Sequence, residues 1–180
     1  MIRIEFTEQQ VEDLSYERYL WCFTRLFIKP PSGRKRFNVL GALNAVTLEI
    51  ITFTNESYIN AESVCKLMRK LAASGLGIPI TILCDNARYQ KCAIVFEVAQ
   101  ELGITFLYLP SYSPHLNLIE RLWKFVRKEC PYSKYYADFN SFRTAISSLI
   151  KTAHIDKYKE LKSLMNWKFQ SFKKVKFLGA

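Results

Sequence analysis

Two carboxylates carry the chemistry this chain could do. Asp85 closes the apolar run PITILCD, residues 79–85, and Glu120 stands early in NLIERLWKFVRKE; thirty-four residues lie between them. Carboxylates that meet in one cleft can hold a hard divalent cation, and Mg²⁺ is usually held by one or two of them plus substrate phosphate. A pair of such ions about 3.5–4 Å apart activates water and stabilises the leaving oxygen in phosphodiester chemistry. Each residue also has a plainer reading. Asp85–Asn86 is a good turn pair that could start a loop and cap the next helix. Glu120 could be the third-position partner of an Asn117 N-cap.

The elements that must position these residues follow from periodicity. PITILCD suits a strand buried on both faces, whose carboxyl end is where open α/β sheets place ligands. ITFLYLP, residues 104–110, reads as a second buried strand, and a helix over 88–102 lies between the two. RFNVLGALNA and TLEIITFTN read as two antiparallel strands with a turn near Asn44–Ala45. LWCFTRLFI, from Leu20, is a further strand-like run. Residues 60–74 read as a helix capped by Asn60, with Glu62 in its first turn and Val64, Leu67, Met68 and Leu71 at helical spacing. Three more helices are expected at about 118–129, 138–152 and 156–170, and a short one opens the chain after a Thr7 cap. This order is that of a layered α/β domain with one mixed sheet.

Charge narrows the partner. Lys plus Arg number 26 against 16 Asp plus Glu, a net charge of +10, which favours a polyanion such as nucleic acid. On the 118–129 helix, Glu120, Lys124 and Arg127 fall on one side at i, i+4, i+7, while Ile119, Leu122 and Val126 fall on the other. An acidic residue thus leads a basic stripe, continued by Lys128, that could track a phosphate backbone. Arg88 and the basic turn Arg34, Lys35 and Arg36 are further candidate DNA contacts; the tail Lys173, Lys174 and Lys176 reads as a basic end without specificity. No apolar run reaches the roughly 18 residues of a membrane span. The opening MIRIEFTEQQ lacks the pattern of a signal peptide, so the expected location is intracellular.

The remaining reactive side chains read as bland. The five cysteines are scattered without a C-x-x-C pair, which argues against disulfides and zinc, and three of them read as buried thiols. Trp123 reads as packing rather than a base-stacking platform. His115 and His154 read as surface residues.

The phrases ILCDNARYQK (82–91) and LPSYSPHLNLIERLWKFVRKE (109–129), with SGRKRFNVLGALNA (32–45), resemble the DDE transposases of the mariner-like superfamily, and closely the insertion sequence 630 branch. The likeness spans about residues 20–170. It implies a ribonuclease H-like mixed sheet flanked by helices, and cut-and-paste DNA transposition with Mg²⁺ or Mn²⁺. It implies DNA partners (element ends and target), with a homodimer or a mixed dimer with an intact transposase. The location it implies is the bacterial cytoplasm, at the nucleoid. By motif position Asp85 matches the second acidic residue and Glu120 the third, both as catalytic metal ligands.

The family's first Asp lies on a strand upstream of the segment that resembles LWCFTRLFI, and that sequence is absent here. Residues 1–19 resemble the opening of the family's N-terminal helix-turn-helix region and join directly to residues 20–180, the incomplete catalytic domain. An internal deletion accounts for this. It leaves a sheet expected to lack its first strand, unless LWCFTRLFI slides into the gap, and a weakened metal site. Glu49, Glu12 and Asp13 are candidate substitutes for the missing ligand.

Overall fold

The computed structural model describes residues 19–28, 35–74, 79–85, 87–109, 116–130 and 135–166. Five strands make one mixed sheet: β1 (Tyr19–Ile28), β2 (Phe37–Asn44), β3 (Ile50–Asn55), β4 (Ile80–Cys84) and β5 (Ile104–Tyr108). Their order is β3-β2-β1-β4-β5. The expected gap at the centre is therefore corrected: LWCFTRLFI fills it. β1 pairs antiparallel with β2 along its length and parallel with β4, with Phe23 opposite Cys84. The physical reason is its two-sided apolar character. Trp21 and Phe23 are wholly buried on one face, Cys22 and Leu26 on the other, as the period-2 alternation of a central strand requires.

Helices cover both faces. α1 (Ala61–Ala73) and α2 (Ala93–Glu101) pack on the Trp21 and Phe23 side, and α3 (Leu118–Glu129), α4 (Phe139–Asp156) and α5 (Tyr158–Leu164) on the Cys22 and Leu26 side. α1 starts as its sequence predicts. Asn60 Oδ1 accepts from the Ser63 amide at 3.0 Å, and Ser63 Oγ accepts in return from the Asn60 amide at 3.4 Å. Its exposed Glu62 and Lys66 pair at 2.8 Å. The expected helix over 88–102 is broken into a 3₁₀ turn, Arg88–Gln90, and α2. Buried Gln90 forces the break: its Oε1 accepts from the Ala87 amide, and its main-chain oxygen accepts from the Tyr108 hydroxyl at 3.0 Å. The last helix is described only to Leu164. The expected helix after Thr7, and Trp167 with the basic tail beyond it, lie outside the described residues.

The β2–β3 turn is set by Asn44, whose Oδ1 accepts from the amides of Val46 and Thr47 at 2.9 Å each. At the β3 edge Lys70 of α1 donates to the Thr52 carbonyl at 3.0 Å, which covers one otherwise open edge acceptor. The five cysteines form no disulfide, and four rather than three are buried; Cys92 is half-buried. Among the described residues no helix is long and apolar enough to cross a membrane.

Candidate metal and nucleic-acid site

Asp85 follows the last residue of β4, level with Thr24 of β1 by the parallel register. The alternation of both strands aims the two side chains at the α3 face, where Cys22, Leu26 and Leu83 are buried. There the Thr24 hydroxyl donates to Asp85 Oδ2 at 2.9 Å. Asn117, fully buried before α3, donates from Nδ2 to Asp85 Oδ1 and to the Phe23 carbonyl, each at 3.2 Å. Asn117 holds the N-cap position, yet its side chain makes no capping hydrogen bond. The expected pairing of Asn117 with Glu120 as a capping box is thus corrected. The amide group is drawn into the sheet, where it donates to the second oxygen of the half-buried Asp85 carboxylate and to the Phe23 carbonyl.

Glu120, in the first turn of α3, comes to the same place. Its carboxyl is held above the usual carboxylate range, first by burial and then by the charge of Asp85. Arg127, the Thr24 hydroxyl and Lys124 act in the opposite direction. Thr24 therefore lies between both carboxylates with one proton to give. The two nearby thiols are inert: burial pushes Cys22 and Cys84 up to about 12.

α3 reaches this position through close packing. Ile119, Leu122, Trp123 and Val126 are buried against the sheet, as the sequence indicated, and Lys124 and Lys128 are exposed. Trp123 lies over Gly41, the β2 residue opposite Thr24. A Cβ at Gly41 would stand 2.6 Å from two ring carbons of Trp123, so only glycine permits this approach.

The other predicted residues lie apart. Glu49 precedes the edge strand β3 and its main chain pairs with Asn44. That places it two strand spacings, about 10 Å, from β1 and three residues along from Thr24. Glu49 therefore does not replace a third ligand; Glu12 and Asp13 lie outside the described residues. Among those described, no group of three His, Cys, Asp or Glu side chains could hold a metal. Lys35 and Arg36 are exposed and lie over the rings of Phe139 and Tyr58, at 5.1 and 4.9 Å. Arg88 is exposed on the 3₁₀ turn. Arg34 and His115 are not among the described residues. His154 is half-buried rather than a surface residue, with Nδ1 enclosed.

Sequence reasoning missed Thr24, Asn117 and Gly41. Thr24 alone left a signal, as a polar side chain on a buried face of an apolar strand. The donor set of the site is all oxygen: two carboxylates and a hydroxyl. It fits one hard divalent cation with water and phosphate filling the rest. With two carboxylates it does not fit a pair of ions.

Comparison places this arrangement among known folds. The solved catalytic domain of Mos1 mariner transposase is similar, with TM-score 0.59 and 12% identity over 92% of this chain and 94% of that chain. The same domain with raltegravir and Mg gives TM-score 0.61 and 12% identity over 94% and 100%. A chain of the simian T-cell lymphotropic virus intasome, in complex with PP2A regulatory subunit B56 gamma, gives TM-score 0.56 and 15% identity over 73% of this chain; the match spans about half, 48%, of that one. At these identities the likeness is one of fold, the ribonuclease H-like sheet of transposase and integrase catalytic domains. No curated protein sequence matches the chain. The family model described as DDE superfamily endonuclease matches residues 10–143. With nearly three-quarters of its length inside that match, the chain belongs to the DDE superfamily of endonucleases.

Proposed function

We propose that this chain is the catalytic domain of an insertion sequence 630-type DNA transposase, internally truncated, that binds DNA and one divalent cation but does not cut DNA alone. One observation carries the reading. On the central strand, level with Asp85 and in reach of Glu120, stands the Thr24 hydroxyl, where a third carboxylate would be needed for two ions. Asp85 and Glu120 are the residues that would hold Mg²⁺ or Mn²⁺. Bound there with DNA phosphate, the cation would supply charge neutralisation and a water of lowered pKa.

The chain's own residues do the rest. Thr24 and Asn117 fix the Asp85 carboxylate by a hydrogen bond to each oxygen. Lys124 and Arg127 offset the charge of Glu120 and continue as a positive stripe toward Lys128, suited to a phosphate backbone. A second reading follows from the complete sheet: a folded domain with a weakened site could pair with an intact transposase in a mixed dimer and block it. Both readings imply a bacterial protein of the nucleoid.

The test is supercoiled-plasmid nicking in Mg²⁺ and in Mn²⁺, comparing wild type, Thr24→Asp and Thr24→Asp with Asp85→Asn. The expected result is no nicking by wild type, nicking by Thr24→Asp, and its loss in the double variant. DNA affinity should be unchanged by Asp85→Asn. Thr24→Asp should also melt lower than wild type without cation and recover when Mn²⁺ is added, because three facing carboxylates repel until a cation joins them. Wild-type nicking that Asp85→Asn abolishes would show that another ligand completes the site.

A further inference from the structure

Away from the carboxylates, α3 and α5 enclose an open groove of about 640 Å³. Arg121, Lys124 and Lys128 line it from α3 and Lys159 from α5, over Phe125 and Leu164. The single acid that lines it among the described residues, Glu160, already accepts from Lys157 at 3.1 Å. The groove is therefore strongly positive along its α3 wall, carries a further cation on its α5 wall, and is apolar between them. Its walls are fixed by Arg121, which donates to the main-chain oxygens of Leu164 and Asn166 and so ties α3 to the end of α5. Lys124 links it to the carboxylate site, one helical turn beyond Glu120, and its charge is felt by that carboxyl.

We propose that this groove binds the phosphate backbone of a DNA strand and leads that strand to the Asp85–Glu120 site. The proposal rests on the DNA-binding reading above and adds a location: the contact is shared between α3 and α5 rather than confined to one helix stripe. Charge complementarity selects the occupant. Four cations from two walls face one neutralised acid, and cations so spaced along a channel replace the counterions of a backbone. The half-exposed Leu164, and Phe125 beneath it, give a sugar or base a dry surface to lie on.

Fluorescence polarisation with a labelled 20-nucleotide single strand and its duplex, across a salt series, tests this. The variants are Lys128→Glu with Lys159→Glu and, as a control of equal charge change, Lys66→Glu with Arg69→Glu on the exposed side of α1, which lies across the sheet. Charge reversal in the groove should weaken binding at least about tenfold and flatten the salt dependence by about two units of slope. The control should stay within about twofold. Melting curves confirm that the exposed substitutions leave the fold intact, and Lys159→Gln should show an intermediate loss. DNA binding by wild type that survives charge reversal overturns the groove while leaving the DNA-binding reading standing. Equal loss in the control points to net charge alone and likewise overturns it. Absence of DNA binding by wild type removes both. Poly-glutamate binding that the groove variants lose, without DNA binding, assigns the groove to an acidic protein and overturns the proposal.

Discussion

Two asparagines begin helices on opposite faces of the sheet, and they do different work. Asn60 caps α1 through a reciprocal pair with Ser63. Asn117 occupies the same position before α3 but leaves that helix uncapped and binds Asp85 and the Phe23 carbonyl instead. On the α1 side the capping asparagine serves its own helix. On the α3 side polar groups serve a point in space where β1, β4 and α3 meet. The difference teaches that a helix start stripped of its local cap marks an outside demand on the capping residue.

If the α3 face is built around that point, perturbing it should be more damaging than perturbing the α1 cap. The largest effect is expected from Gly41→Ala, whose methyl meets the Trp123 ring. Overpacking destabilises by about 1–3 kcal/mol and occasionally more; a methyl driven into the wholly buried Trp123 ring belongs at or above the top of that range and would move Glu120 with α3. Urea unfolding would measure it, and an unchanged midpoint would show that α3 is free to shift. Next comes Asn117→Ala, which removes a donor from a carboxylate and should cost about 1.5–3 kcal/mol. Asn60→Ala removes a cap and should cost about 1 kcal/mol. If the two asparagine variants unfold at the same urea concentration, the contrast drawn between the two faces fails.

The smallest effect concerns pH. The carboxyl of Glu120 is raised by burial and by Asp85, so the folded protein binds its proton more tightly than the unfolded chain. That contribution to stability is present at acid pH and is lost as pH rises through the raised value. Glu120→Gln should then melt about 1–3 °C above wild type at pH 7, with the gap closing toward pH 4. A gap that is constant across this range would trace the effect to packing rather than ionisation.

Much of this was legible in the sequence because it is local. The α1 cap, the β4 run ending at Asp85 and the two faces of α3 each follow from residues a few positions apart. The carboxylate pair was legible through the motif around it. What the sequence concealed is non-local. Nothing in LWCFTRLFI states that its neighbours are β2 and β4, since an apolar strand pairs with whichever edge is open. Thr24 reaches Asp85 across 61 positions and Asn117 reaches the Phe23 carbonyl across 94. Gly41 reads as a weak point in a strand until Trp123 is seen lying on it. The split of the 88–102 helix was hidden for the same reason, because Gln90 is held by Tyr108 of a later strand.

The thiols offer a different use of the two faces. Cys22 and Cys130 are sealed in the layer under α3–α5, Cys65 and Cys84 in the layer under α1 and α2. Each layer thus carries its own native reporters. The rate at which a small alkylating reagent modifies them counts how often that layer opens. A molecule that loosens on its α3–α5 side would lose Cys130 to the reagent well before Cys65, and a polyanion bound in the proposed groove would slow the first without touching the second.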